Sequence, residues 1–148
     1  MDILPERRLS AAFAPVDARR DGRRILLAED DSSFRYLLAS TLRQDGYQVV
    51  AVATGVDFLD VLDDSLSRDS PMAGFDLVLS DVRMPGWRGL GTLASFPGRP
   101  GMPPIILFTA FADEEMHRRA LELGALALLD KPFDIEDLRG LVAGVLDN

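Results

Sequence analysis

Two hydrophobic periods take turns along the chain. Ile25-Leu26-Leu27, Leu77-Val78-Leu79 and Ile105-Ile106-Leu107-Phe108 are apolar at every position. They lack the polar alternate of a half-exposed strand and predict short strands covered on both faces. Tyr47 to Ala53, rich in β-branched residues, and Ala125 to Leu129 complete a set of five strands. Between them the spacing turns helical. Phe34, Leu37, Leu38, Thr41 and Leu42 follow a cap at Asp31 or Ser32, and Asp45-Gly46 stops that helix. Val56, Leu59, Val61, Leu62 and Leu66 follow Thr54-Gly55. Met116, Ala120, Leu121 and Leu123 follow Ala112-Asp113 and close at Gly124, and Leu138, Leu141, Val142 and Val145 follow Asp134. A short helical segment is predicted over Leu90 to Ser95. Strands alternating with helices through short connections imply a parallel sheet with right-handed crossovers. A closed barrel needs about eight strands, so the expectation is an α/β fold with an open, doubly wound, five-stranded sheet.

The 148 residues suffice for one domain with its own core. Residues 1–23, broken by Pro5 and Pro15 and ending in an arginine-rich run, hold no sustained period. They are read as a flexible N-terminal extension, and 24–148 as the domain. Twenty-four acids against sixteen bases argue against a general nucleic-acid surface. The absence of cysteine removes disulfides, thiolate metal sites and cysteine nucleophiles. Without a membrane-length apolar run or a secretory leader, the expected location is the cytoplasm.

The chemistry collects where the strands end. Glu29 and Asp30 follow the first strand, Asp81 closes the third, Thr109 the fourth, and Lys131 follows the fifth. In a parallel sheet these carboxyl ends share one edge, the edge at which open α/β sheets place their ligands. Taken singly, each has an ordinary reading. Asp81 or Glu29-Asp30-Asp31 could cap helices, Lys131 could be a surface lysine, and Thr109 a satisfied loop hydroxyl. Taken together they describe a pocket. Three carboxylates repel one another unless a cation holds them, and oxygen ligands in that number favour Mg2+. Lys131 adds a positive charge and Thr109 a donor hydroxyl. A carboxylate so flanked can take up a phosphoryl group, because the charges that oppose its approach are cancelled.

The motifs Ile25-Leu26-Leu27-Ala28-Glu29-Asp30-Asp31, Asp81-Val82-Arg83-Met84-Pro85-Gly86 with Gly89, Phe108-Thr109-Ala110, and Gly124-Ala125 before Lys131-Pro132-Phe133 carry a specific resemblance. From about Arg24 to Asp147 the chain resembles the CheY-like receiver domain of bacterial two-component response regulators. The resemblance implies a flavodoxin-like sheet in the order 2-1-3-4-5 with five helices. It implies that Asp81 is the phosphoacceptor, served by a sensor histidine kinase or histidine phosphotransfer protein. It further implies that Asp30 ligates Mg2+ directly, Glu29 partly through water, and Arg83 through its carbonyl, with Asp81 completing the set. Thr109 resembles the switch hydroxyl and Lys131 the lysine beside the phosphoryl group. Such a domain catalyses its own phosphotransfer and slow autodephosphorylation and then engages a downstream protein. A homodimer is compatible with it, as is the absence of direct contact with nucleic acid or membrane.

Two positions depart from the family pattern. Leu128 stands where an aromatic usually swings inward, and Trp87-Arg88 occupy the turn after Gly86. Arg83 and Phe111, each two residues beyond a key site, predict slow loss of the phosphoryl group. His117 is read as an exposed helical residue away from the strand-end cluster. The fourth and fifth helices, opening at Ala112-Asp113 and after Asp134, with Leu126 and Leu128 between them, are the expected docking face. The chain ends at its last helix, so the expectation is a stand-alone receiver or a piece of a longer regulator. A phosphoaspartate hydrolase is the second class. It would place another aspartate two residues after the nucleophile, where this chain has Arg83. A scaffold with no phosphorylation is the third, and it has no use for the acid, threonine and lysine set.

Overall fold

Each fully apolar triplet lies inside a strand. β1 spans Arg24–Ala28, β2 Gln48–Val52, β3 Leu77–Asp81, β4 Ile105–Thr109 and β5 Ala127–Asp130. The computed structural model describes residues 22–67, 74–83, 101–110, 113–122 and 124–147. The predicted turn at Met84-Pro85-Gly86, Trp87, Arg88, the helix over Leu90 to Ser95 and Phe111 fall outside these residues. All pairings are parallel and the order is β2-β1-β3-β4-β5. β3 and β4 are buried at every position, as strands covered on both faces must be.

Four helices stand among the described residues: α1 (Ser32–Gln44), α2 (Gly55–Ser65), α3 (Glu114–Glu122) and α4 (Ile135–Leu146). Their starts are built from side-chain acceptors. Asp31 accepts from the amides of Ser33 and Phe34, Thr54 from Asp57, Asp113 from Met116, and Asp134 from Glu136. α1 stops where Gly46 takes φ 101°, a left-handed conformation that favours glycine. There the Tyr47 amide donates to the Leu42 carbonyl and the Gly46 amide to that of Arg43, which satisfies the last turn.

The sheet divides the core in two. On one face Leu26, Val78, Leu107 and Leu128 pack against Phe58 and Leu62 of α2 and Ala120 of α3. On the other, Ile25, Leu27, Leu79, Ile106 and Phe108 meet Leu38 and Leu42 of α1 and Leu138, Val142 and Leu146 of α4. Each fully buried leucine stabilises the fold by about 1.5–3 kcal/mol, so the strands are held mainly by side chains above and below them.

The helical stripes are rotated from the predicted ones. Leu37, Val56 and Leu121 are exposed, while Ala39, Phe58 and Ala143 are buried. Spacing alone admits either set, because neighbouring apolar positions differ by only about 100° around a helix. β2 and β5 are also shorter than read. Tyr47 and Ala125 are buried without being strand residues, and Leu126 is exposed.

Candidate functional site

Parallel register delivers the chemistry to one edge. Ala28 lies beside Ser80, so Glu29 and Asp81 leave neighbouring strands at the same level, and Asp81 lies beside Phe108. Thr109 lies beside Asp130, and its carbonyl accepts from the Lys131 amide at 2.8 Å. Lys131 is thereby carried across the sheet. Its Nζ donates to Glu29 Oε1 at 2.8 Å and to Asp81 Oδ2 at 2.5 Å.

Each acid is further held by backbone. The Asp31 amide donates to Glu29 Oε2 at 2.9 Å, and the Arg83 amide to Asp81 Oδ1 at 2.8 Å. Carboxylate oxygens of Glu29, Asp30 and Asp81 all lie within 4.8 Å of one another, Glu29 and Asp81 buried and Asp30 exposed. Thr109 is fully buried at the end of β4. The strand-end residues singled out from the sequence, Glu29, Asp30, Asp81, Thr109 and Lys131, therefore meet at one edge, with the Arg83 backbone against Asp81.

Burial raises the pKa of Glu29, and hydrogen bonds from Lys131 and the Asp31 amide offset this only in part. For Lys131 burial acts downward, but its bonds to Asp81 and Glu29 outweigh it and its pKa stands above that of an ordinary lysine. The amine is thus held charged, and the acids around it hold more negative charge than it cancels. That donor set fits a hard divalent cation: oxygen ligands only, one of them solvent-facing, in a cluster with excess negative charge.

Sequence reasoning missed the floor of the site. Phe34, Phe108 and Phe133 form a three-ring cluster, with centroids 6.4, 5.6 and 5.7 Å apart and the rings edge to face. Lys131 Nζ sits 5.1 Å from the Phe34 ring and 5.5 Å from that of Phe108, an arrangement that holds a cation over π faces. The signal was present, since Phe108 and Phe133 belong to two of the quoted motifs and Phe34 lies three residues beyond Asp31 of another. Phe34 and Phe133 also line an open cleft of about 360 Å³ with Asp31, Ala110, Lys131 and Pro132. Arg35 is the other omission. Its Nη1 donates to the Glu29 carbonyl at 2.8 Å. His117, read as standing away from the strand-end cluster, is half-exposed on α3 and meets an exposed acid outside that cluster. Its Nε2 lies 3.3 Å from Oδ1 of Asp130, the residue before Lys131.

A family model described as the response regulator receiver domain matches residues 25–143. The chain belongs to the response regulator receiver domain family. Among receiver relatives, sporulation initiation phosphotransferase F of Bacillus subtilis is 33% identical over 119 residues, covering 80% of this chain and 90% of that one. Transcriptional regulatory protein PdtaR of Mycobacterium tuberculosis is 36% identical over 117 residues, 78% of this chain and 53% of that one. The chain thus spans about half the length of PdtaR, and less of some other relatives. A CheY-like receiver domain protein from Methanospirillum hungatei superposes with a TM-score of 0.72 at 29% identity, covering 84% of this chain and 94% of that one. Receiver membership makes this a domain of phosphorylation-dependent two-component signalling. No helix among the described residues is long and apolar enough to cross a membrane.

Proposed function

We propose that residues 24–148 form a receiver in which Asp81 accepts a phosphoryl group from a phosphohistidine donor, a sensor histidine kinase or a histidine phosphotransfer protein. The observation that carries this reading is Lys131 Nζ hydrogen-bonded at once to Asp81 and Glu29, with Asp30 in the same cluster. An Asp81 carboxylate oxygen forms the new O–P bond while the P–N bond to the donor imidazole breaks. The electron pair stays on that nitrogen, which takes up a proton from solvent. Lys131, fixed over the phenylalanine rings, meets the added charge, and Thr109 supplies a hydroxyl that donates to a phosphoryl oxygen. Glu29, Asp30, Asp81 and the Arg83 carbonyl would hold Mg2+, which would supply positive charge that lowers the repulsion between the two anions. Attack by water on phosphorus later releases phosphate and restores the carboxylate.

The test is intact mass after exposure of the full chain to a small acyl phosphate, with Mg2+ or with chelator. The expected result is one added phosphoryl group with Mg2+, none with chelator, and none in Asp81→Asn. Uptake by Asp81→Asn, or none by the wild type with any donor, would refute the reading. Donor turnover that leaves no added phosphoryl group on the chain would move it to the hydrolases.

A further inference from the structure

Arg35 stands in an unfavourable place for a base. It is the fourth residue of α1, near the positive end of the helix. Its side chain nevertheless folds back over that end. Nη1 donates to the Glu29 carbonyl at 2.8 Å and reaches the Asp30 carbonyl at 3.4 Å. The loop between β1 and α1 is otherwise tied at Glu29, whose amide donates to the Val52 carbonyl, and at Asp31, which caps α1. Asp30 lies between these ties. Its carboxylate is the solvent-facing member of the acidic cluster, and among the described residues no hydrogen bond is made to it.

We propose that Arg35 is a positioning residue for the divalent cation. By holding the two carbonyls it fixes the backbone on either side of Asp30 and aims that carboxylate at Glu29 and Asp81. The inference rests on the Mg2+ site described above. Arg35 touches none of the three carboxylates, so it acts through the loop.

Positioning and simple charge counting predict opposite signs. Neutralising a nearby cation should, on charge alone, tighten Mg2+ binding. If Arg35 instead orients a ligand, its loss should weaken binding by about tenfold, the range found for groups that orient metal ligands. The experiment is calorimetric titration of Mg2+ into the full chain, comparing wild type with Arg35→Met and Arg35→Gln, alongside urea unfolding in chelator. The two neutral variants guard against one of them failing to fold. The expected result is Mg2+ affinity lowered about tenfold with the unfolding midpoint in chelator near that of wild type. Unchanged or tighter Mg2+ binding in the folded variants would overturn the proposal, as would a loss of stability with affinity preserved. Asp30→Asn separates the two levels. If it loses Mg2+ while the Arg35 variants keep it, only this inference falls. If it binds as tightly as wild type, the site itself is wrong.

Discussion

Two ion-paired clusters in this molecule use similar residues to opposite ends. At the α1–α4 contact, Arg139 meets Asp45 through two parallel bonds, Nε to Oδ2 at 2.8 Å and Nη2 to Oδ1 at 2.7 Å. Its Nη1 meets both oxygens of Glu136 at 2.9 Å. One buried carboxylate faces one guanidinium in a planar, bidentate fit, and Arg139 is held charged far above neutrality by its bond to Asp45. At the strand edge, Lys131 offers a point charge to two buried carboxylates, with a third acid alongside. In the first cluster the buried charges match, Asp45 against Arg139, and the second acid, Glu136, is exposed to water. The second is short of positive charge, which is the condition for taking in a cation. A buried pair is therefore informative about function when its charges fail to balance.

The largest effects should come from removing the two bases. Arg139→Met should lower unfolding free energy by about 3 kcal/mol, the range for leaving a buried charge unpaired, while phosphoryl uptake by mass stays at the wild-type level. Lys131→Met should lose stability on the same order and lose uptake as well. Equal uptake in both variants would erase the distinction. Next in size is the response to metal. At a hundred times its dissociation constant, Mg2+ should add about 2.7 kcal/mol to stability in urea, equally in wild type and Arg139→Met and not in Asp30→Asn.

The smallest effect is on pH. The folded-state pKa of Glu29 is raised above its unfolded value, so the folded protein binds that proton more tightly. In chelator, ionised Glu29 weakens the fold at neutral pH, and the penalty is relieved as pH falls through the raised value toward that of an ordinary glutamate. Glu29→Gln should therefore be more stable than wild type near pH 7 and lose that advantage as pH drops. An advantage that grows on acidification would contradict the assigned direction.

The sheet was legible because Leu77-Val78-Leu79 and Ile105 to Phe108 leave a parallel, doubly covered strand as the consistent reading. The site was legible because each acid, the threonine and the lysine sits where such a strand ends. What escaped depends on rotation and reach. Val56 and Phe58 both suit an apolar stripe, and only packing against β1 and β3 selects Phe58. Arg139 acts across a distance that no local pattern records. Asp45 and Arg139 are 94 residues apart in the chain.

The most direct test substitutes one atom in each cluster. Asp45→Asn and Asp81→Asn, unfolded by urea in chelator, make the same change to a buried aspartate paired with a base. Opposite signs are expected: Asp45→Asn loses about 3 kcal/mol by breaking the buried charge pair with Arg139, whereas Asp81→Asn gains stability by relieving repulsion with Glu29 and Asp30. Destabilisation of both to a similar extent would mean that the strand-edge acids are already neutralised, and the central claim would fail.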